Sequence, residues 1–309
     1  MSAARAVVFA YHDVGARCLK TLLSGGVDVP LVVTVKDDPN ETQWFASVAA
    51  TAVEYGLQVL MPSDANTPEL ERTIAELQPD FLFSFYYRSM LSTSVLKAAR
   101  RGALNMHGSL LPKYRGRAPV NWAILRGEQE TGATLHYMVE RADAGDIVDQ
   151  LAVPILRDDD AREVFNKVTV AAETVLARSL PGLVAGTAPR RPQRVEPGQY
   201  FGRRKPEDGR IDWTRPAVEI HNLVRAVAPP FPGAFSDVEG TRWWIHKTRV
   251  EERTISPSER ARLFGADGHC YAACRDGGVL RVISAATAEG PVNLIALARE
   301  LHKHPLPLN

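Results

Sequence analysis

The chain has 309 residues, 45% hydrophobic and 24% charged, with a formal net charge of +1; this is an ordinary globular composition with room for two domains, and it excludes a global field for nucleic acid. Three cysteines, Cys18, Cys270 and Cys274, without a C-x-x-C pair, argue against a disulfide framework or a structural zinc site and suit a reducing cytosol. There is no signal-peptide layout and no stretch approaching the ~20 apolar residues of a membrane helix, so a cytoplasmic protein with neither a membrane nor a nucleic-acid partner is expected. In chain order, Ala6–Ala10, Leu31–Val35, Asp80–Phe85 and Gly102–Met106 are short apolar runs that predict strands. Between them, Ala16–Leu23, Gln43–Tyr55, Pro68–Leu77 and Thr93–Ala99 predict helices. This alternation predicts an α/β domain with a Rossmann-like, mostly parallel sheet covered on both faces. A helix at Ala118–Arg126 follows, then strands at Thr134–Met138 and Ile147–Pro154 as a hairpin around an acidic loop. Ala161–Val184 reads as a long helix closing a first domain, residues 1–187. The Pro/Arg/Gly-rich stretch Gly186–Gly198 reads as a linker into a second domain, residues 188–309. There a helix at Ala217–Ala228, a hard turn at Pro229–Gly233 and strands at Ala234–Val238, Arg242–Val250, His269–Cys274 and Val279–Ser284 predict a smaller, mainly β domain, with an OB-like barrel as the candidate architecture. The tail beyond Leu301, with His302, His304 and two prolines, is expected to fray.

The chemistry concentrates where the fourth strand ends, in Asn105-Met-His-Gly-Ser-Leu-Leu-Pro-Lys-Tyr114. Residues two apart on a strand point to the same face, and strand ends are where open α/β sheets place ligands. A neutral imidazole takes a proton, and an amide N–H₂ donates to a developing oxyanion. Asn105 and His107 therefore make half of an acyl-transfer site. The other half falls in Val139–Asp146, where Asp143 and Asp146 are both candidates for the carboxylate that stabilises an imidazolium. His12 and His136 lack such company and read as structural or surface residues. After the first strand, Phe9–Gly15 offers one glycine where a dinucleotide site needs G-x-G-x-x-G, so a turn without a phosphate site is expected. Lys113, Arg115 and Arg117 read either as a solvated basic loop or as anion contacts.

N-x-H, then S-L-L-P, then D-A-G beginning 36 residues after the His, resembles the signature of the 10-formyltetrahydrofolate-dependent formyltransferases. The resemblance implies that Asn105, His107 and Asp143 are catalytic, choosing Asp143 over Asp146. It implies the formyltransferase fold, 10-formyltetrahydrofolate as co-substrate, and no metal. It places Ser89, Met90 and Leu91 where the pterin is held through main-chain groups, and Arg117, Val139, Glu140, Arg141 and Ala142 on the folate side. Phe201–Arg204 and Asn222–Phe235 resemble segments of sugar-nucleotide N-formyltransferases. Residues 5–240 resemble the formyltransferase portion of a bifunctional polymyxin-resistance protein that acts on UDP-4-amino-4-deoxy-L-arabinose. A UDP-amino sugar is then the expected partner, with Arg203 and Arg204 on its diphosphate and Phe231 on the uracil ring. The competing reading of these three residues is an interdomain salt-bridge cluster beside a Pro-rich turn. The bifunctional protein's second, NAD-dependent decarboxylase half has no room here, so a stand-alone transferase supplied by another polypeptide, compatible with a homodimer, is expected. Methionyl-tRNA formyltransferase and a non-enzymatic folate-binding sensor are the alternatives.

Overall fold

The computed structural model describes residues 3–37, 43–196, 200–257 and 260–308. Contacts divide the chain into two compact units. The first holds Met1–Pro119, Glu130–Val153 and Asn166–Gly202; the second holds Val120–Gln129, Pro154–Phe165 and Arg203–Asn309.

The first unit begins β1 (Arg5–Ala10), α1 (His12–Ser24), β2 (Asp28–Val33), α2 (Val48–Glu54), β3 (Val59–Leu60), α3 (Pro68–Glu76), β4 (Phe81–Phe85), α4 (Thr93–Lys97) and β5 (Gly102–His107). The chain then runs through β6 (Arg115–Gly116), α5 (Pro119–Leu125), β7 (Glu130–Tyr137), β8 (Ile147–Pro154), α6 (Ala161–Ala185) and β9 (Tyr200–Phe201). Seven strands form one sheet in the order β3-β2-β1-β4-β5-β7-β8, parallel from β3 through β5, with β7 antiparallel to β5. This is the Rossmann-like α/β sheet that the strand–helix alternation predicts. β1 and β4 are apolar without alternation because helices cover both faces; Val7, Phe9, Phe83 and Phe85 have no exposed surface. Burying each such side chain contributes about 1.5–3 kcal/mol. Side-chain caps set three helix starts: Ser47, Thr67 and Ser92 each accept from the backbone N–H three residues on. Ser47 is why α2 begins at Val48 and not at Gln43. Gly15 allows the first helix onto the sheet, since a Cβ there would lie 3.0 Å from Val48 Cγ2 and 3.1 Å from Ala10 Cβ.

One expectation is corrected by α6. By length and composition it would pass for a membrane span, with a window of mean hydropathy 1.3. Its composition reflects packing: Val168, Ala171, Ala172, Val175 and Leu176 are buried at helical spacing.

In the second unit, a 3₁₀ turn (Pro206–Gly209) and α7 (Ala217–Ala226) precede β10 (Ala234–Val238), β11 (Thr241–Thr254), β12 (Ala261–Ala266), β13 (His269–Ala273), β14 (Gly278–Thr287), β15 (Gly290–Pro291), α8 (Leu294–Leu301) and β16 (Leu306–Leu308). The order β10-β11-β14-β13-β12-β16 is antiparallel throughout, and β16 also lies against β10, so the sheet is nearly closed into a barrel. Trp213, Ile220, Val224, Leu263, Ala272 and Leu280 fill its core. Residues 306–308 of the tail do not fray: Leu306 and Leu308 pair with Leu263 and Ala261, and Leu308 is 4% exposed. Pro305 and Pro307 do not prevent this pairing. β16 pairs at the end of the sheet order, where a missing N–H costs little, and the alternation turns Leu306 and Leu308 toward the core and Pro307 away.

Candidate active site

β5 delivers Asn105 and His107 to the C-terminal edge of the parallel sheet, and β7 pairs with it so that Asn105 faces His136 and His107 faces Thr134. The loop between β7 and β8 brings Asp143 to the same place, in a left-handed conformation with φ 52°. The three residues that the motif singles out converge. Asn105 Nδ2 lies 3.4 Å from Asp143 Oδ1, and His107 Nδ1 lies 3.6 Å from the same oxygen. The second carboxylate oxygen accepts from the Gly116 N–H at 2.9 Å.

His107 Nε2 is 2.8 Å from the main-chain oxygen of Tyr114. A carbonyl only accepts, so Nε2 carries the hydrogen, and Nδ1, facing Asp143, is the basic nitrogen of the neutral ring. Tyr114 is brought there by a tightly bonded turn. Ser109 Oγ donates to Lys113 O, and Thr134 Oγ1 donates to Ser109 O, both at 2.6 Å. Thr134 Oγ1 accepts from Leu111 N–H at 3.1 Å and from Gln150 Nε2 at 2.9 Å. The S-L-L-P stretch is thus the scaffold of the site. Gly108 has no room for a side chain: a Cβ would lie 1.8 Å from the Tyr86 hydroxyl oxygen.

Burial works to raise the pKa of Asp143. The charge that His107 carries when protonated, the hydrogen bond and charge that His136 supplies when protonated, and the Gly116 N–H outweigh it and hold the carboxyl well below the usual carboxylate range. Asp143 is therefore an anion at neutral pH.

His136, read from the sequence as structural or surface, is a member of this cluster. It is 1% exposed, with Nε2 3.2 Å from Asn105 Nδ2 and 3.6 Å from Asp143 Oδ1. Its Nδ1 donates to Tyr137 O at 2.9 Å, so the neutral ring presents a lone pair to the Asn105 amide. Sequence spacing cannot find it, because the link is the register of β5 against β7. Arg115 is also corrected: it is not solvated, but is 3% exposed and donates through Nε and Nη2 to Ala142 O. His12 stacks on Phe45 at 4.0 Å between ring centroids; burial, with the Arg88 charge, lowers its pKa to about 3.

The expected folate residues occupy two segments at this edge of the sheet. In 89–91, Met90 is 58% exposed, with its carbonyl accepting from Asn66 Nδ2 at 3.0 Å, and Ser89 is exposed. In 139–142, Val139, Glu140 and Arg141 are exposed, and Ala142 is half-buried. Leu91 and Met138 pack into one apolar cluster with Ala103, so the two segments leave the sheet as neighbours. Arg117 is exposed, and its Nη2 reaches Arg88 O at 3.4 Å. The expected nucleotide residues lie in the second unit. Arg203 is exposed; Arg204 is half-buried, donates to Asp208 O at 2.9 Å and lies over the Trp122 ring; Phe231 packs against the barrel core.

Comparison with known proteins is consistent with this geometry. The formyl transferase family model matches residues 4–180, and the model of the formyl transferase C-terminal domain matches residues 203–295. Among solved structures, an N-formyltransferase from Helicobacter canadensis, in complex with folinic acid and dTDP-3-aminofucose, aligns with a TM-score of 0.72 at 21% identity, over 91% of this chain and 99% of that one. The sugar 3-N-formyltransferase WlaRD, with dTDP and 5-N-formyl-THF, aligns with a TM-score of 0.72 at 19% identity, over 95% and 99%. HypX from Aquifex aeolicus, in complex with tetrahydrofolic acid, aligns with a TM-score of 0.62 at 21% identity, over 98% of this chain and 48% of that one. At these identities the likeness is one of fold.

Proposed function

Because the chain belongs to the formyl transferase family, and is thus a formyl-transferring enzyme, we propose that it moves the formyl group of 10-formyltetrahydrofolate onto the amino group of a nucleotide-linked amino sugar, UDP-4-amino-4-deoxy-L-arabinose. The observation that carries the chemistry is the convergence of Asn105, His107 and Asp143 at one edge of the sheet. The acceptor class is supported by the amino-sugar and dTDP ligands of the two sugar formyltransferases of like fold, and by the Phe201–Arg204 and Asn222–Phe235 resemblances.

In this reading the neutral amine attacks the formyl carbon, and the carbonyl oxygen becomes a tetrahedral oxyanion. Asn105 donates to it. Both Asn105 N–H bonds are engaged, one by His136 and one by Asp143; the 3.4 Å contact to Asp143 is the longer, so it is the one an oxyanion displaces. Removing one oxyanion donor costs about 2.7–4 kcal/mol of barrier. His107 Nδ1 takes the proton from the attacking amine and returns it to the leaving N10 of the folate. Asp143 stabilises the imidazolium in between, while the Tyr114 carbonyl keeps the ring oriented.

Ser89, Met90 and Leu91 would hold the pterin through their main chain, with Val139–Ala142 opposite. Arg117, with its exposed guanidinium, would meet the glutamate carboxylates. Arg203, two residues beyond Phe201, would meet the acceptor's diphosphate together with Arg204, and Phe231 the base.

The test is a panel of UDP-, dTDP- and GDP-linked amino sugars, with tetrahydrofolate release followed spectrally. Turnover is expected with the UDP-4-amino sugar. Turnover confined to another nucleotide would move the acceptor assignment. Formylation of methionyl-tRNA alone would overturn it.

A further inference from the structure

The loop that carries Asp143 is held from outside by a residue that the motif does not include. Gln193 Nε2 donates to Asp143 O at 3.2 Å and to Gly145 O at 2.6 Å. A primary amide has two N–H bonds on one nitrogen, and here they meet two carbonyls of one turn. A carboxylate in that place would set oxygen against oxygen, and an apolar side chain would leave both carbonyls without a donor.

The residues just before Gln193 strap the ends of the same loop. Arg191 exchanges main-chain hydrogen bonds with Ile147 at the start of β8, at 2.8 and 2.9 Å. Arg190 lies over the Tyr137 ring at the end of β7, 3.8 Å from its centroid. From the other side, Arg115 holds Ala142 O, and Gly116 N–H holds the Asp143 carboxylate. This bracing has work to do. Asp143 is a non-glycine residue at φ 52°, a conformation that costs about 1–2 kcal/mol and persists only where the surroundings impose it. Its Oδ1 already lies 3.4–3.6 Å from Asn105, His107 and His136, at the limit of useful contact.

We propose that Gln193 is a positioning residue for formyl transfer: its amide fixes the main chain of the 143–145 turn and so aims the Asp143 carboxylate at Asn105 and His107. The proposal rests on the reading of Asp143 given above.

The test is a double-mutant cycle. Gln193→Ala and Gln193→Glu are made in the wild-type and Asp143→Ala backgrounds and assayed with 10-formyltetrahydrofolate and UDP-4-amino-4-deoxy-L-arabinose. The Asp143 carboxyl is titrated by ¹³C NMR in wild type and Gln193→Ala, a readout that needs no turnover. In the wild-type background kcat is expected to fall about tenfold or more, with KM within about twofold, since a displacement near 1 Å costs up to about 100-fold. Gln193→Glu should lose more than Gln193→Ala. In the Asp143→Ala background neither change should cost anything further, because the group it aims is gone. The Asp143 titration should move up toward its ordinary range. Equal losses in both backgrounds, or an Asp143 titration that stays in place, overturns the proposal. Near-normal activity of Asp143→Ala alone would instead overturn the reading of Asp143, and would leave Gln193 nothing to position.

Discussion

Asn105 and His136 are register partners across the β5–β7 ladder, and the Asn105 Nδ2 lies 3.2 Å from the His136 Nε2. With the other His136 nitrogen donating to Tyr137 O, the imidazole lone pair selects the nitrogen end of the Asn105 amide and sets the direction in which it donates. The oxyanion donor of the proposed mechanism is therefore oriented by a second histidine.

His136→Ala is expected to lower kcat by one to two orders of magnitude, the loss typical of a misplaced catalytic group, and to leave folate affinity within about twofold. Steady-state kinetics with a parallel folate titration checks this. An unchanged kcat would mean that Asn105 is held without His136.

Asp143 gives the pH dependence of stability. Its folded-state pKa is depressed, so its contribution is fully present above the unfolded value of about 3.9 and is lost as pH falls through the folded value. The stability difference between wild type and Asp143→Asn, from urea unfolding, should stay constant from neutral pH down to about pH 5 and shrink below about pH 4. A difference that vanishes already at pH 6 would show that the carboxyl is not held as an anion by His107, His136 and Gly116.

Thr134 is the hub of the turn that carries Tyr114 to His107. Thr134→Val keeps the shape but leaves Ser109 O without its donor and Leu111 N–H without its acceptor, in a buried place. A loss of about 1–3 kcal/mol is expected, seen as a lower urea midpoint at unchanged slope. No shift would mean that water or a neighbour takes over the hydroxyl.

The C-terminal strand is a structural member of the barrel. Leu308→Ala should cost about 2–5 kcal/mol in thermal or urea unfolding, as for other buried leucines. A frayed tail would give no change.

Strands and helices of the first unit were legible because buried parallel strands read as unbroken apolar runs and the caps are local. Asn105 and His107 were legible because a two-residue spacing on a strand end fixes a common face. His136 was not, because its place depends on which strand pairs with β5, and that register is set by tertiary packing. Gln193 was hidden by composition: Pro, Arg and Gly around it read as a linker, yet residues 190–193 lie along the Asp143 loop. β16 was hidden by its prolines, which an end strand tolerates. Arg115 looked solvated beside Lys113 and Arg117, and only the fold shows which of the three turns inward.

Formyl transfer through His107 is tested by a single-turnover comparison of wild type and His107→Ala, with 10-formyltetrahydrofolate and UDP-4-amino-4-deoxy-L-arabinose, reading the nucleotide sugar by mass spectrometry. The wild type is expected to add the mass of one CO to the nucleotide sugar while tetrahydrofolate appears, and His107→Ala, folded and still binding folate, to form product at least about 100-fold more slowly, the general acid–base contribution. Product formed by His107→Ala at a rate near that of the wild type would contradict it.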